Sequence, residues 1–182
     1  MTDERSLQLN NSADRQLADE VSAPGRGLSA MVLTVNGTDY AVSVESRKLL
    51  SDVLREDLHL TGTHVACEHG ACGACTIMAD GAAVRSCLLF AAQCEKMEIT
   101  TVEGLAPGDG SLNSVQQAMQ DCHGLQCGFC TPGIVVSMTA YLRDNPSPTD
   151  EDLRIALSGN LCRCTGYQGI VNAARQAAGA QS

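Results

Sequence analysis

The stretch CEHGACGACT, residues 67–76, is the most informative part of this chain. Three cysteines lie in it and a fourth follows on a later segment, at Cys67, Cys72, Cys75 and Cys87. Gly70 and Gly73 allow the backbone between them to take positive φ angles and to bring N–H groups close to the sulfurs. The pattern predicts that a tight loop and a neighbouring strand direct four thiolates at one object.

The spacing C-x4-C-x2-C with a distant fourth cysteine is typical of plant-type 2Fe–2S sites. Three thiolates from one loop and one from a neighbouring strand can surround a flat, compact cluster. Backbone N–H groups near the sulfurs would offset part of its negative charge. Structural zinc also accepts four thiolates, but the ferredoxin-type loop explains the four-residue gap. The first set is therefore predicted to bind a 2Fe–2S cluster.

A second set of cysteines comes from two stretches far apart in the chain, QCGFCTPG and GNLCRCTGY. Its members are Cys127, Cys130, Cys162 and Cys164, and Gly128 lies in the first of the two loops. Two cysteines one residue apart have Cα atoms roughly 7 Å apart in an extended chain, too far for an unstrained disulfide. On a helix they would point to nearly opposite sides. The two pairs fit a four-thiolate site between helices. Structural zinc is one alternative for all four cysteines, and a redox dithiol is another for Cys127 and Cys130.

The remaining cysteines and the histidines show no ligand pattern. Cys94 and Cys122 lie outside both sets and are expected to be buried or half-buried free thiols. His69 follows Cys67 in a C-x-H arrangement, which is half of a Rieske site, but no cysteine has a histidine three residues later. Surface or capping roles are expected for His59, His64 and His123.

Composition excludes several classes of function. The formal net charge of -9 disfavours nonspecific nucleic-acid binding, and the scarcity of aromatic residues disfavours base stacking. The N-terminal residues contain no apolar run of a signal peptide and no twin arginine. No segment is long and apolar enough to span a membrane. A cytoplasmic protein is predicted, in which clustered cysteines bind metal more often than they form a disulfide framework.

Three regions follow from the pattern along the chain. Residues 1–29 have the composition of a flexible extension or of an arm that orders on a partner. Residues 30–105 are expected to form an α+β domain. Its predicted elements are a hairpin over 31–44 around Asn36-Gly37, a helix over 48–58, a hairpin over 75–87 around Asp80-Gly81 and a strand over 97–102.

Residues 110–178 are expected to form an all-α domain. Helical spacing of apolar residues predicts helices over 112–122, 133–144, 150–157 and 169–178. Thr149 is the expected N-cap of the third helix, with Asp152 three residues on. Four short helices in a region of this length predict a small bundle.

Taken together, CEHGACGACTIMADG, QCGFCTPG and NLCRCTGY resemble the iron–sulfur subunit of the molybdenum hydroxylases. That family includes xanthine dehydrogenase, aldehyde oxidoreductase and aerobic carbon monoxide dehydrogenase. The resemblance covers residues 30–178 and includes all eight ligand positions in family order. It implies a β-grasp ferredoxin-like 2Fe–2S domain followed by a four-helix-bundle 2Fe–2S domain. The N-terminal 29 residues depart from the family pattern.

The resemblance also implies partners. In this family a molybdopterin centre on a large subunit hydroxylates the substrate. Electrons then pass through the cluster of the helical domain and the cluster of the ferredoxin-like domain to FAD on a medium subunit, or to another acceptor. By the same resemblance, Gln126 contacts the pterin and Cys164 is the ligand nearest to it. Residues 60–88 look most like the subunits of bacterial dehydrogenases of N-heterocycles such as quinoline, nicotine or caffeine.

The sequence is thus predicted to be an electron-transfer subunit with two 2Fe–2S clusters and no bond chemistry of its own. One alternative is a free-standing two-cluster ferredoxin that acts as a soluble carrier. A second alternative is a zinc-stabilised binding module without redox function.

Overall fold

The N-terminal part of the chain begins with a hairpin. A computed structural model describes residues 28–180. Strand β1 (Leu28–Val35) and strand β2 (Thr38–Glu45) pair in antiparallel fashion. Between them Asn36 and Gly37 have φ angles of 53° and 74°, so the type I′ turn is confirmed. Leu28 and Ser29, placed in the predicted extension, belong to β1, and residues 1–27 lie outside the described residues.

Five strands form one mixed sheet. The other three are β3 (Thr76–Ala79), β4 (Ala82–Arg85) and β5 (Glu98–Thr100), in the spatial order β2-β1-β5-β3-β4. Strand β5 runs parallel to β1 and antiparallel to β3, which joins the two hairpins. Short 3₁₀ turns follow β4 and β5, at Ser86–Leu88, Ala91–Gln93 and Val102–Gly104.

The prediction of one α-helix over 48–58 is wrong in both the length and the type of helix. Helix α1 covers only Leu50–Asp52, and Val53–Asp57 continue as a π-helical turn. There Leu58 donates its backbone N–H to Val53 O at 3.0 Å, one residue further back than in an α-helix. Leu50, Val53, Leu54 and Leu58 are nevertheless all buried against the sheet, so the segment packs one apolar face inward.

Four helices follow, as predicted. They are α2 (Ser114–Asp121), α3 (Thr131–Asp144), α4 (Asp150–Leu157) and α5 (Gln168–Gly179). Helix α3 begins two residues early, because Pro132 fits the first turn, where its missing N–H costs nothing. Thr149 caps α4 as expected, since its hydroxyl accepts the Asp152 N–H at 3.2 Å.

The two parts pack against each other through helix α3 and strand β3. Met78 of β3 is buried against Val136 and Ala140 of α3. Each part also has its own apolar core, one beneath the sheet and one among the helices. The arrangement confirms the α+β fold class. Among residues 28–180, no helix has the length and hydropathy needed to cross a bilayer.

Candidate metal centres

The first set of thiols lies at one end of the sheet, on the loop before β3 and the turn after β4. The β3–β4 hairpin pairs Thr76 with Arg85. Beyond that pair, Ser86 donates its N–H and its hydroxyl to Cys75 O, at 3.2 and 2.8 Å. The register therefore brings Cys87 back beside Cys75, and both cysteines are buried.

Backbone N–H groups of the loop converge on the sulfur of Cys67. The N–H of Cys72 lies 3.4 Å from it, and the N–H groups of His69 and Ala71 point to the same atom. These bonds, led by that of His69, lower the pKa of Cys67 to about 6. Because the thiolate is the form that binds metals, the loop favours the ligand state of this residue.

Gly70 and Gly73 shape the same loop. Their φ angles are +81° and +76°, which residues with a side chain rarely adopt. The Gly70 N–H is directed to Cys87. A Cβ on Gly70 would lie 2.5 Å from Leu88 Cδ1. Burial, and after it the hydrogen bond with the Cys75 thiol, raise the pKa of Cys87 to about 11. Cys75 and Cys87 are thus a close pair of thiols, and a metal must displace the Cys87 proton to bind there.

The second set lies between helices. Cys127 and Cys130 are on the loop that joins α2 to α3, and Cys162 and Cys164 are on the loop that joins α4 to α5. The sulfurs of Cys127 and Cys164 lie 3.5 Å apart, and this contact raises the pKa of Cys164. The structure therefore brings together four cysteines that are widely separated in the sequence.

Cys130 and Cys162 form the other close pair of this set. Burial, and then the hydrogen bond to Cys162, raise the pKa of Cys130 to about 12. Burial also raises the pKa of Cys162, but hydrogen bonds from Thr165, whose hydroxyl lies 3.1 Å from the sulfur, outweigh burial and lower the pKa overall. The Cys130 and Cys162 sulfurs are therefore within hydrogen-bond reach of each other.

The pairing distinguishes between two kinds of metal site. Each set consists of two contacting thiol pairs, Cys67–Cys72 with Cys75–Cys87 and Cys127–Cys164 with Cys130–Cys162. In a 2Fe–2S cluster each iron takes two thiolates, whereas zinc draws all four to one centre. Both donor sets therefore fit a two-iron cluster better than a zinc ion.

The two sets differ in exposure. Cys127 and Cys164 lie at the surface, whereas Cys75 and Cys87 are buried. Gln126 is exposed directly beside Cys127, and Gly128 turns the same loop with a φ angle of +81°. The second set thus has an outward-facing side that is accessible to a bound molecule.

Other cysteines and histidines named from the sequence make different contacts. Cys94 is buried beneath the sheet, where burial raises its pKa, and Cys122 contacts Gln176 at 3.2 Å. The His69 ring bonds the Cys67 carbonyl through Nδ1. The His64 ring stacks on Phe129 with centroids 4.9 Å apart, and its Nδ1 lies 2.8 Å from the Phe129 carbonyl.

Sequence reasoning missed two residues that support the second set. The Tyr167 hydroxyl accepts the backbone N–H of Cys162 at 2.8 Å, and Tyr167 takes a φ angle of +67° to reach it. Asn160 is buried between the two thiol sets. Both residues lie within GNLCRCTGY, but nothing in the spacing of polar residues indicates that Asn160 is buried or that Tyr167 bonds Cys162.

Comparison with known proteins gives two family matches in series. A family described as 2Fe-2S iron-sulfur cluster binding domain matches residues 33–106. A second family, described as [2Fe-2S] binding domain, matches residues 101–175. The two matches together span both thiol sets.

Named relatives agree with these matches. The nicotine 6-hydroxylase small subunit of Paenarthrobacter nicotinovorans is 57% identical over 145 residues, which cover 80% of this chain and 87% of the relative. The caffeine dehydrogenase subunit gamma of a Pseudomonas species is also 57% identical, covering 78% of this chain and 86% of the relative.

A solved structure shows the same fold. The crystal structure of quinoline 2-oxidoreductase from Pseudomonas putida 86 matches with a TM-score of 0.81 and 46% identity. The match covers 86% of this chain and 97% of that chain. The resemblance inferred from the cysteine motifs is confirmed, and this chain belongs to the family of iron–sulfur small subunits of the molybdenum hydroxylases.

Proposed function

We propose that this chain carries electrons from a molybdopterin centre on a large subunit to FAD on a medium subunit. The observation that carries the proposal is the presence of two sets of paired thiols in adjoining domains. When bound, a 2Fe–2S cluster supplies a centre that accepts and releases one electron. The residues of this chain would hold the clusters, tune them and dock the partners, with no bond chemistry of their own.

Cys67, Cys72, Cys75 and Cys87 are the proposed ligands in the ferredoxin-like domain. The backbone N–H groups aimed at Cys67 and the burial of Cys75 and Cys87 support this assignment. Hydrogen bonds to the sulfurs and burial are among the factors that set the reduction potential of such a cluster.

Cys127, Cys130, Cys162 and Cys164 are the proposed ligands in the helical domain. Electrons would enter at Cys164, and Gln126 would bond the pterin. The exposure of Cys164 and Gln126 on one side of the site supports this direction of transfer.

The proposed partners are a large molybdopterin-binding chain and a medium FAD-binding chain. An N-heteroaromatic substrate is proposed, because the names of two relatives refer to nicotine and caffeine. The proposed domains are residues 30–105 and 110–178, which the two family matches support. A cytoplasmic location is proposed because all ten cysteines, which lie within the described residues, are free thiols.

Purification of the native assembly through a tag on this chain tests the proposal. A molybdenum-containing large chain and a flavin-containing chain are expected to copurify. A stable, fully iron-loaded monomer without partners would favour the free-standing carrier instead. A colourless protein that contains zinc would favour the binding module and would refute electron transfer.

A further inference from the structure

Asn160 connects the two thiol sets although it belongs to the segment of only one. It lies two residues before Cys162, yet its side-chain Nδ2 donates to Gly73 O, between Cys72 and Cys75 of the other set, at 3.0 Å. Its Oδ1 accepts from the Ser137 hydroxyl of helix α3 at 2.9 Å. Both ends of a polar side chain that is only 2% exposed are therefore satisfied.

Two further hydrogen bonds hold the neighbours of Asn160. The backbone N–H of Leu161 donates to Cys72 O at 2.8 Å. On the other side, the Arg85 guanidinium donates to Gly159 O at 2.6 Å. Arg85 also bonds Thr76, so it is itself anchored to the β3–β4 hairpin. Three consecutive residues before Cys162 are thus bonded to the domain that holds the first set.

The approach at this point is closer than any side chain would allow. A Cβ on Gly73 would lie 2.6 Å from Asn160 Nδ2 and would also collide with Gly159 O. A Cβ on Gly133, at the start of α3, would collide with Gly73 O and lie 3.1 Å from Ala74 O. Two glycines therefore permit the contact that Asn160 completes.

We propose that Asn160 is a positioning residue that fixes the distance between the two thiol sets. The inference rests on the proposed function, because electron transfer between two centres slows steeply as their separation increases. Without the Asn160 side chain, the buried Ser137 hydroxyl loses the acceptor at Oδ1, and Gly73 O keeps only its bonds from Thr76, which belong to its own domain. The segment that leads into Cys162 would then keep the bond from Leu161 N–H to Cys72 O and the bond from Arg85 to Gly159 O as its links to the domain of the first set.

The test uses the intact complex with the substitution Asn160→Ala. The matched control is Asn172→Ala, at a half-buried asparagine of α5 whose Oδ1 accepts hydrogen bonds from Gln168 and Arg175 of the same helix. Iron and acid-labile sulfide are measured first, followed by low-temperature electron paramagnetic resonance of the fully reduced complex. Two neighbouring paramagnetic centres split or broaden each other's signals. We expect Asn160→Ala to lose this mutual splitting while each signal keeps its own g values, and Asn172→Ala to retain it.

Unchanged splitting in an iron-replete Asn160→Ala complex would overturn the proposal, even if its unfolding temperature falls, because a purely stabilising residue would act in that way. If the Asn160→Ala complex does not retain its clusters, the same measurement is made on Ser137→Ala. This substitution removes only the bond to Oδ1 and is expected to weaken the splitting, whereas an unaltered splitting refutes the proposal.

A second readout separates this inference from the proposed function. Hydrogen exchange of the Leu161 amide reports the contact whatever the bound metal is, and it should accelerate in Asn160→Ala and not in Asn172→Ala. Equal exchange in all three proteins would overturn the positioning role. Absence of iron and sulfide from the wild-type complex, with accelerated exchange in the variant, would instead refute the proposed function and leave the contact established.

Discussion

The substitution Gly133→Ala tests how closely helix α3 approaches the first thiol loop. The added Cβ would collide with Gly73 O and would lie 3.1 and 3.2 Å from Ala74 O and Ala74 Cα. All three atoms belong to the backbone, so no change of rotamer can relieve the contact. Either α3 must move away from the loop or the segment between Cys72 and Cys75 must deform.

The magnitude follows from two opposing effects. Overpacking a well-packed site costs about 1–3 kcal/mol. Replacing glycine by alanine in a helix otherwise gains about 0.5–1 kcal/mol. We therefore expect Gly133→Ala to lower the free energy of unfolding by about 1–2 kcal/mol. At about 2–4 °C per kcal/mol for a chain of this size, the unfolding temperature should fall by about 2–8 °C.

The assay is thermal unfolding at one scan rate, followed by far-ultraviolet circular dichroism and by the visible absorbance of the cluster. Gly179→Ala is the matched control, because Gly179 ends α5 and a Cβ there meets nothing within 4 Å. It should leave the unfolding temperature unchanged or raise it slightly. If Gly133→Ala unfolds at or above the wild-type temperature with an unaltered spectrum, the close contact between α3 and Gly73 is refuted.

Three further predictions concern the thiol sets and the helical domain. Cys75→Ser should remove one paramagnetic signal of the reduced protein and Cys164→Ser the other; loss of the same signal in both would contradict the assignment into two sets. Gly128→Ala, at a φ angle of +81° in open space, should cost about 1–2 kcal/mol in thermal unfolding. Gly73→Ala has a similar φ angle but also crowds Asn160 Nδ2 at 2.6 Å, so it should be more destabilising; equal losses would argue against the crowding. Thr149→Ala removes the cap of α4 and should cost about 1 kcal/mol in urea unfolding, and no change would show that the cap is dispensable.

Local signals in the sequence were sufficient for most of the secondary structure. Asn36-Gly37 predicts its turn because two consecutive residues with positive φ are required there. Thr149 predicts a helix start because its hydroxyl can satisfy an N–H that has no partner in the first turn. These features depend on a few neighbouring residues, so the sequence displays them directly.

Features that depend on distant partners were not predictable. The apolar spacing over 48–58 identifies the buried face but does not distinguish an α-helical turn from the π-helical turn at Val53–Asp57. The parallel pairing of β1 with β5 joins segments far apart in the chain, and no local pattern encodes it.

Both thiol sets were predicted from the sequence, but only the first rests on spacing within one loop. Spacing grouped Cys67, Cys72 and Cys75 because they share one loop. Cys127 and Cys164 are 37 residues apart, yet their sulfurs lie 3.5 Å from each other only because α3 and α4 intervene and return the chain. The hydrogen bond from Asn160 to Gly73 O joins residues 87 positions apart, and no local sequence pattern predicts it.

The proposed electron transfer requires that this chain hold two 2Fe–2S clusters, one in each thiol set. The most direct test is metal and sulfide analysis of the purified complex together with electron paramagnetic resonance after reduction. About four iron atoms and about four acid-labile sulfides per copy of this chain, with two distinct signals, are expected. Zinc in place of iron, or about two irons with a single signal, would contradict the claim.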